Sequence, residues 1–265
     1  MNVSRYILGL VMCAVLTAPA HSADMASVMT HMQKGDYAVA YVEAENLQTA
    51  DGLALAAESL LSEIMLGQAK KNKQQAKRAR KLAKAALEID PAHQNARLQY
   101  AIADGFVTRE TGDVSAWMKK LPQKTQAIVQ AYRDDFPNDA RGDALLGAWH
   151  LAIARKAGNK NAEKWFGASI SQGQDLFQKA RTAKPDDIII DVNYAFSLLA
   201  LDVDDFGDTD EARQILSEMV TLAPQDHLGE VLQSYAKDVL AKIDDRETVR
   251  DYTALFLEGE TPRFE

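Results

Sequence analysis

Four prolines, and the residues standing at fixed distances before them, constrain this chain more than any other feature. Asp90-Pro91, Phe136-Pro137, Lys184-Pro185 and Ala223-Pro224 each close a stretch free of strand-like alternation. Positions 12, 8 and 5 residues upstream are Ala79, Ala83 and Ala86 for Pro91, Gly173, Phe177 and Ala180 for Pro185, and Ala212, Leu216 and Met219 for Pro224. Pro137 has a degenerate trio, Thr125, Val129 and Tyr132. Steps of four and three residues put each trio on one face of a helix, with small side chains where a neighbouring helix must come close. Ala40, Ala44 and Leu47 repeat these steps without a proline. The pattern predicts helix pairs near 25–48, 52–89, 92–136, 138–183 and 186–223, then helices near 226–242 and 246–257, and no sheet. Ala86, Phe177, Ala180, Ala212 and Leu216 are expected in the core.

The stretches Asp208–Pro224 (DTDEARQILSEMVTLAP) and Gln74–Pro91 (QQAKRARKLAKAALEIDP) resemble the second helix of the tetratricopeptide repeat, a unit of roughly 34 residues closed by a proline. That resemblance implies an all-α fold, a right-handed α-solenoid of stacked antiparallel helix pairs. Spacings of 46, 48 and 39 residues between the prolines mark the repeats as irregular. A second likeness lies between about residues 140 and 225. There, GAW at Gly147–Trp149, WFGAS at Trp165–Ser169, LFQKARTAKP at Leu176–Pro185 and VNYAFSLLAL at Val192–Leu201 resemble the repeat region of the regulator of microtubule dynamics family and its bacterial relatives. It implies a helical-repeat binding module without established chemistry, and microtubule binding is not carried over to an exported chain.

The N-terminus reads as an export leader. Arg5 precedes the apolar run Ile7–Leu16, and Ala18-Pro19-Ala20 supplies a small-x-small cleavage pattern, so 1–23 is assigned to a signal peptide cut after Ala20, Ser22 or Ala23. Residues 24–265 then form the helical-repeat domain. A lipid anchor on Cys13 would require a small residue where Met12 stands. Cleavage removes the only cysteine and makes the net charge more negative than −8. A periplasmic location is expected. The acidic balance argues against nucleic acid as a partner, and no further apolar run reaches the length of a membrane span.

Leu145–Ser169 concentrates Trp149, His150, Trp165 and Phe166. Aromatics at helical spacing more often build core than bind ligands, so Trp165 and Phe166 are assigned to the core, with Gly147 and Ala148 allowing close helix approach. First helices line the inner face in the resembling repeat. On that ground Trp149, His150, Asn193 and Tyr194 are the candidate partner-binding residues.

Three further clusters carry residue types capable of chemistry. Asp202–Arg213 (DVDDFGDTDEAR) spaces its acids like a calcium loop, but Phe206 and Arg213 occupy two ligand positions, which favours a turn capped by Asp208 or Thr209. Lys70–Lys84 (KKNKQQAKRARKLAK) carries eight basic residues and no acid. It reads as a solvated helix face, with docking of an acidic partner as the functional alternative. His31, His93, His150 and His227 are isolated, so neither a metal nor a cofactor is expected. There is no GxSxG elbow, phosphate-binding glycine loop or nucleophilic cysteine, and no enzyme is expected.

These features predict an exported adaptor or scaffold that binds a protein or peptide on its inner face. The alternative is a ligand-handling accessory of a periplasmic solute transporter, with an unrecognised hydrolase as a weaker third. A hydrophobic tunnel would favour the transporter accessory, and an open polar groove the adaptor.

Overall fold

A computed structural model describes residues 24–111, 113–201 and 209–264. The leader, and Asp202–Asp208 of the calcium-like loop, lie outside them. The described residues are all-α, without a strand. The first elements are α1 (Met25–Lys34), α2 (Tyr37–Asn46), α3 (Ala50–Met65), α4 (Asn72–Ile89), α5 (Gln94–Arg109), α6 (Asp113–Met118) and α7 (Leu121–Asp135). They are followed by α8 (Ala140–Ala157), α9 (Asn159–Phe166), α10 (Ile170–Ala183), α11 (Ile188–Leu199), α12 (Asp210–Met219), α13 (His227–Ala241) and α14 (Arg246–Leu257). Most helices pack on near neighbours in the chain, as in a helical-repeat fold, whereas α14 packs chiefly on α11.

The expected core trios fall on α4, α7, α10 and α12, and every member is buried, the degenerate set before Pro137 included. Ala40 and Ala44 of α2 are buried as well, with Leu47 partly so. Helix starts follow the capping rule that a short polar side chain accepts an otherwise unpaired N–H. Thr49 caps α3, Asp139 α8, Ser169 α10, Asp187 α11 and Asp226 α13. Three of the four prolines directly follow the C-terminal cap residues Asp90, Phe136 and Lys184. The fourth helix stops earlier than expected, at Met219. There the buried Gln233 amide donates to the carbonyls of Met219 (3.0 Å) and Leu222 (2.7 Å), and Met219 also accepts from the Leu222 N–H in a closing turn (3.1 Å).

The two longest inter-proline intervals each hold an additional short helix, α6 in one and α9 in the other. This overturns the assignment of Trp165 to the core. It lies on α9, outside the seam between α8 and α10, and is 55% exposed, whereas Phe166 beside it is partly buried. The Trp165 ring instead meets Trp117 of α6, centroid to centroid 6.5 Å.

The first and last helices also meet, which no periodicity announced. The Tyr235 hydroxyl donates to the Leu66 carbonyl at 3.0 Å, and Asn72 Nδ2 donates to the Gly259 carbonyl at 2.9 Å. The Thr261 hydroxyl donates to the Gly67 carbonyl at 2.8 Å. Gly67 has φ 67°, and a Cβ there would stand 2.2 Å from the Thr261 nitrogen, so this contact requires glycine. Tyr37 and Leu66 accordingly belong to the same apolar cluster as the C-terminal helices. The row of helices is closed on itself.

Among the described residues no helix is long and apolar enough to cross a membrane.

Candidate functional site

An apolar cavity of about 680 Å³, partly open to solvent, is lined mainly by α3, α5, α8 and α11, with further residues from α6, α7, α9, α10, α13 and α14. Thr125, Val129 and Phe177 of the buried trios also border it. The walls are mostly apolar, with Leu61, Met65, Ile102, Phe106, Leu145 and Trp149 prominent among them. Trp117 and Trp165 also line the cavity, yet both are more than half exposed, which places them where it meets solvent.

Two of the four candidate residues line this space. Trp149 presents its ring there while its Nε1–H donates to the Pro122 carbonyl at 2.9 Å, so the indole nitrogen is satisfied and the ring orientation set. Asn193 lines the opposite wall on α11, its Nδ2 donating to the Ile189 carbonyl at 2.8 Å. His150 and Tyr194 are not brought there. The His150 ring is buried, Nδ1 accepts from the Ser169 N–H at 3.1 Å, and burial lowers its pKa. Tyr194 is wholly buried, stacked on Phe177 with centroids 4.8 Å apart, and its hydroxyl donates to Glu211 Oε1 at 2.6 Å. Burial first, and then this carboxylate, raise the pKa of that phenol.

The reason is helical geometry. Successive residues project about 100° apart, so the cavity takes the first of each adjacent pair, Trp149 and Asn193, and the neighbouring seam takes the second. On α11 the lining residues Ile189, Asn193 and Ser197 are four apart, and Ile190 beside them also borders the cavity, but Tyr194 one turn on from Ile190 does not.

Residues that the sequence did not single out stand at the helix C-termini. Arg109 ends α5 and Arg155 and Lys156 lie in the last turn of α8, all three lining the cavity. Glu258, just beyond α14, ion-pairs with all of them: with Lys156 at 3.3 Å, with Arg109 at 3.7 Å and most closely with Arg155. Burial alone would raise the Glu258 pKa, but the Arg155 hydrogen bond and the three positive charges hold it below the usual carboxylate range. Burial pushes the Arg109 guanidinium down to about 10, partly offset by Glu258, which leaves it charged at neutral pH. A sequence signal for this cluster existed, basic residues in the last turns of two first helices, where they also complement the helix dipoles.

The Lys70–Lys84 run lies apart from the cavity. On α4 it buries Ala76, Ala79, Leu82 and Ala83 and exposes most of its basic residues, with Arg78 paired to Glu45 (3.0 Å) and Arg80 to Asp104 (2.8 Å). Thr209 is the N-cap residue of α12 without a side-chain cap bond, and Asp210 and Glu211 lie in the helix's first turn. Among the described residues no group of three or more His, Asp or Glu side chains is placed to hold a metal ion.

No protein-family model matches this chain, and no curated protein matches it significantly in sequence.

Proposed function

We propose that this protein binds an apolar small molecule in this cavity and acts as an exported ligand-handling protein, the accessory role expected as the alternative to an adaptor. The observation that carries this reading is the apolar lining of a cavity around which contacts of α13 and the C-terminal tail with Leu66, Gly67 and Asn72 bring the two ends of the helix row together. An adaptor groove is expected to have polar walls. A chamber of about 680 Å³ falls within the range typical of small-molecule sites. Apolar walls give such a ligand its affinity, because each buried CH₂ contributes about 0.8 kcal/mol.

In this reading the fold is a right-handed, tetratricopeptide-like α-solenoid, and the leader delivers it to the periplasm. Trp117 and Trp165 form an apolar lip at the entrance. Binding rather than catalysis is its role.

The test is titration of the mature protein with the uncharged fluorophore phenylnaphthylamine, which brightens in apolar surroundings. Saturable binding is expected, and Ala152→Trp should abolish it, because Ala152 lines the cavity and retains accessible surface into which an indole would grow. A native protein that leaves the probe dark would sink the proposal.

A further inference from the structure

The cation cluster says what the apolar ligand carries at one end. Arg109 Nη1 donates to the Leu257 carbonyl, but its Nε and Nη2 are buried and make no hydrogen bond, and Arg155 Nε is in the same state. No other side chain among the described residues has two such atoms. Leaving a buried donor unsatisfied costs about 1–3 kcal/mol, and more when the group is charged. Arg246 shows what a purely structural arginine looks like here. It too is partly buried, and it spends its donors on helix-end carbonyls, Nη1 on Leu199 at 2.8 Å and Nη2 on Leu201 at 3.4 Å.

The charge balance points the same way. Arg109 and Arg155 share one ion-pairing carboxylate, Glu258, while Glu110 acts on Arg109 through its charge alone. Helix C-termini favour the cations by a fraction of a charge, but they fill none of the unmade guanidinium bonds. The Arg109 guanidinium lies over the Phe106 ring, 4.2 Å from its centroid, which holds the planar group in one orientation beside the apolar wall. Two guanidinium groups that line one end of an apolar cavity, close enough to act on each other, suit a carboxylate or another oxyanion.

We infer that the ligand is an amphipathic anion, its chain along the apolar walls of α3, α5, α8 and α11 and its anionic head at Arg109 and Arg155. This rests on the cavity being the ligand site.

The experiment separates the two claims. Phenylnaphthylamine bound to the mature protein is displaced in parallel by dodecanoate and by dodecanol, which share a chain and differ in the head. Dodecanoate should displace the probe at a concentration lower by about tenfold or more, because hydrogen bonds to charged groups are the stronger class. Arg109→Gln should bring the two competitors close to parity while leaving the dodecanol value unchanged. Thermal melting reports whether that variant folds. Should it not, Arg155→Gln is expected to narrow the gap in the same direction. Equal displacement by acid and alcohol on the native protein, with the probe bound, overturns the anionic head and leaves the apolar site standing. If the probe fails to bind at all, both readings fall.

Discussion

The two ends of the helix row are packed by opposite means. From α2 to α5 the seams are built of alanine: Ala40, Ala44, Ala54, Ala57, Ala76, Ala79, Ala83 and Ala86 are all fully buried in one cluster. From α8 to α14 the interior is aromatic, with Phe177 stacked on Tyr194 and Phe196 set edge-on to Tyr252 and Phe256. Alanine specifies a seam by being small, so the helices themselves approach and the contact fails when a side chain grows. An aromatic specifies a seam by filling it, and the contact fails when the ring is removed. The aromatic half still needs small residues to make room. A Cβ on Gly147 would stand 2.8 Å from Phe177 Cδ2, and one on Gly173 would stand 2.8 Å from the Leu151 side chain. The trio before Pro185 therefore combines both devices, Gly173 for approach and Phe177 for filling.

Substitutions that attack each device should separate the halves. The largest effect is expected for Phe177→Ala, which removes a fully buried ring stacked on Tyr194, and urea unfolding should show a loss of about 3–5 kcal/mol, since the transfer and cavity costs add. A smaller loss, about 1–3 kcal/mol, is expected for Ala83→Leu on α4, where overpacking forces the helices apart. If Ala83→Leu were neutral, the alanine half would be loosely packed and the contrast would dissolve. The smallest effect belongs to Trp165→Ala. With the ring 55% exposed on α9, the unfolding midpoint should move by no more than about 0.5 kcal/mol, while phenylnaphthylamine binding, read in the same preparation, should weaken if the lip contacts the probe. A large loss of stability there would return Trp165 to the core.

The second helices were the most legible part of the chain. Their trios are local, and a period of about 3.6 residues confined to one helix is visible without any partner. Even Thr125, Val129 and Tyr132, the least regular set, are buried as the spacing predicted. First helices were harder to read because both faces are buried, one against a second helix and one around the cavity. Tyr194 and Asn193 are neighbours in sequence and part company in space for that reason. Trp165 was misplaced because its helix belongs to an insertion, and aromatic composition alone does not distinguish a seam from a lip.

What the sequence by itself determined is the all-α class, the burial of the trios and the punctuation by capping residues and prolines, all properties of segments shorter than about 20 residues. Only the tertiary structure decided that the two ends of the row meet, that an apolar cavity forms there and that cations from two helices converge on one carboxylate. Those facts depend on pairs far apart in the chain: Arg155 and Glu258 are separated by 103 residues, Arg109 and Leu257 by 148, and Gly67 and Thr261 by 194. Each such contact follows from the small bends and offsets summed over every intervening helix, a quantity that periodicity within one helix does not carry.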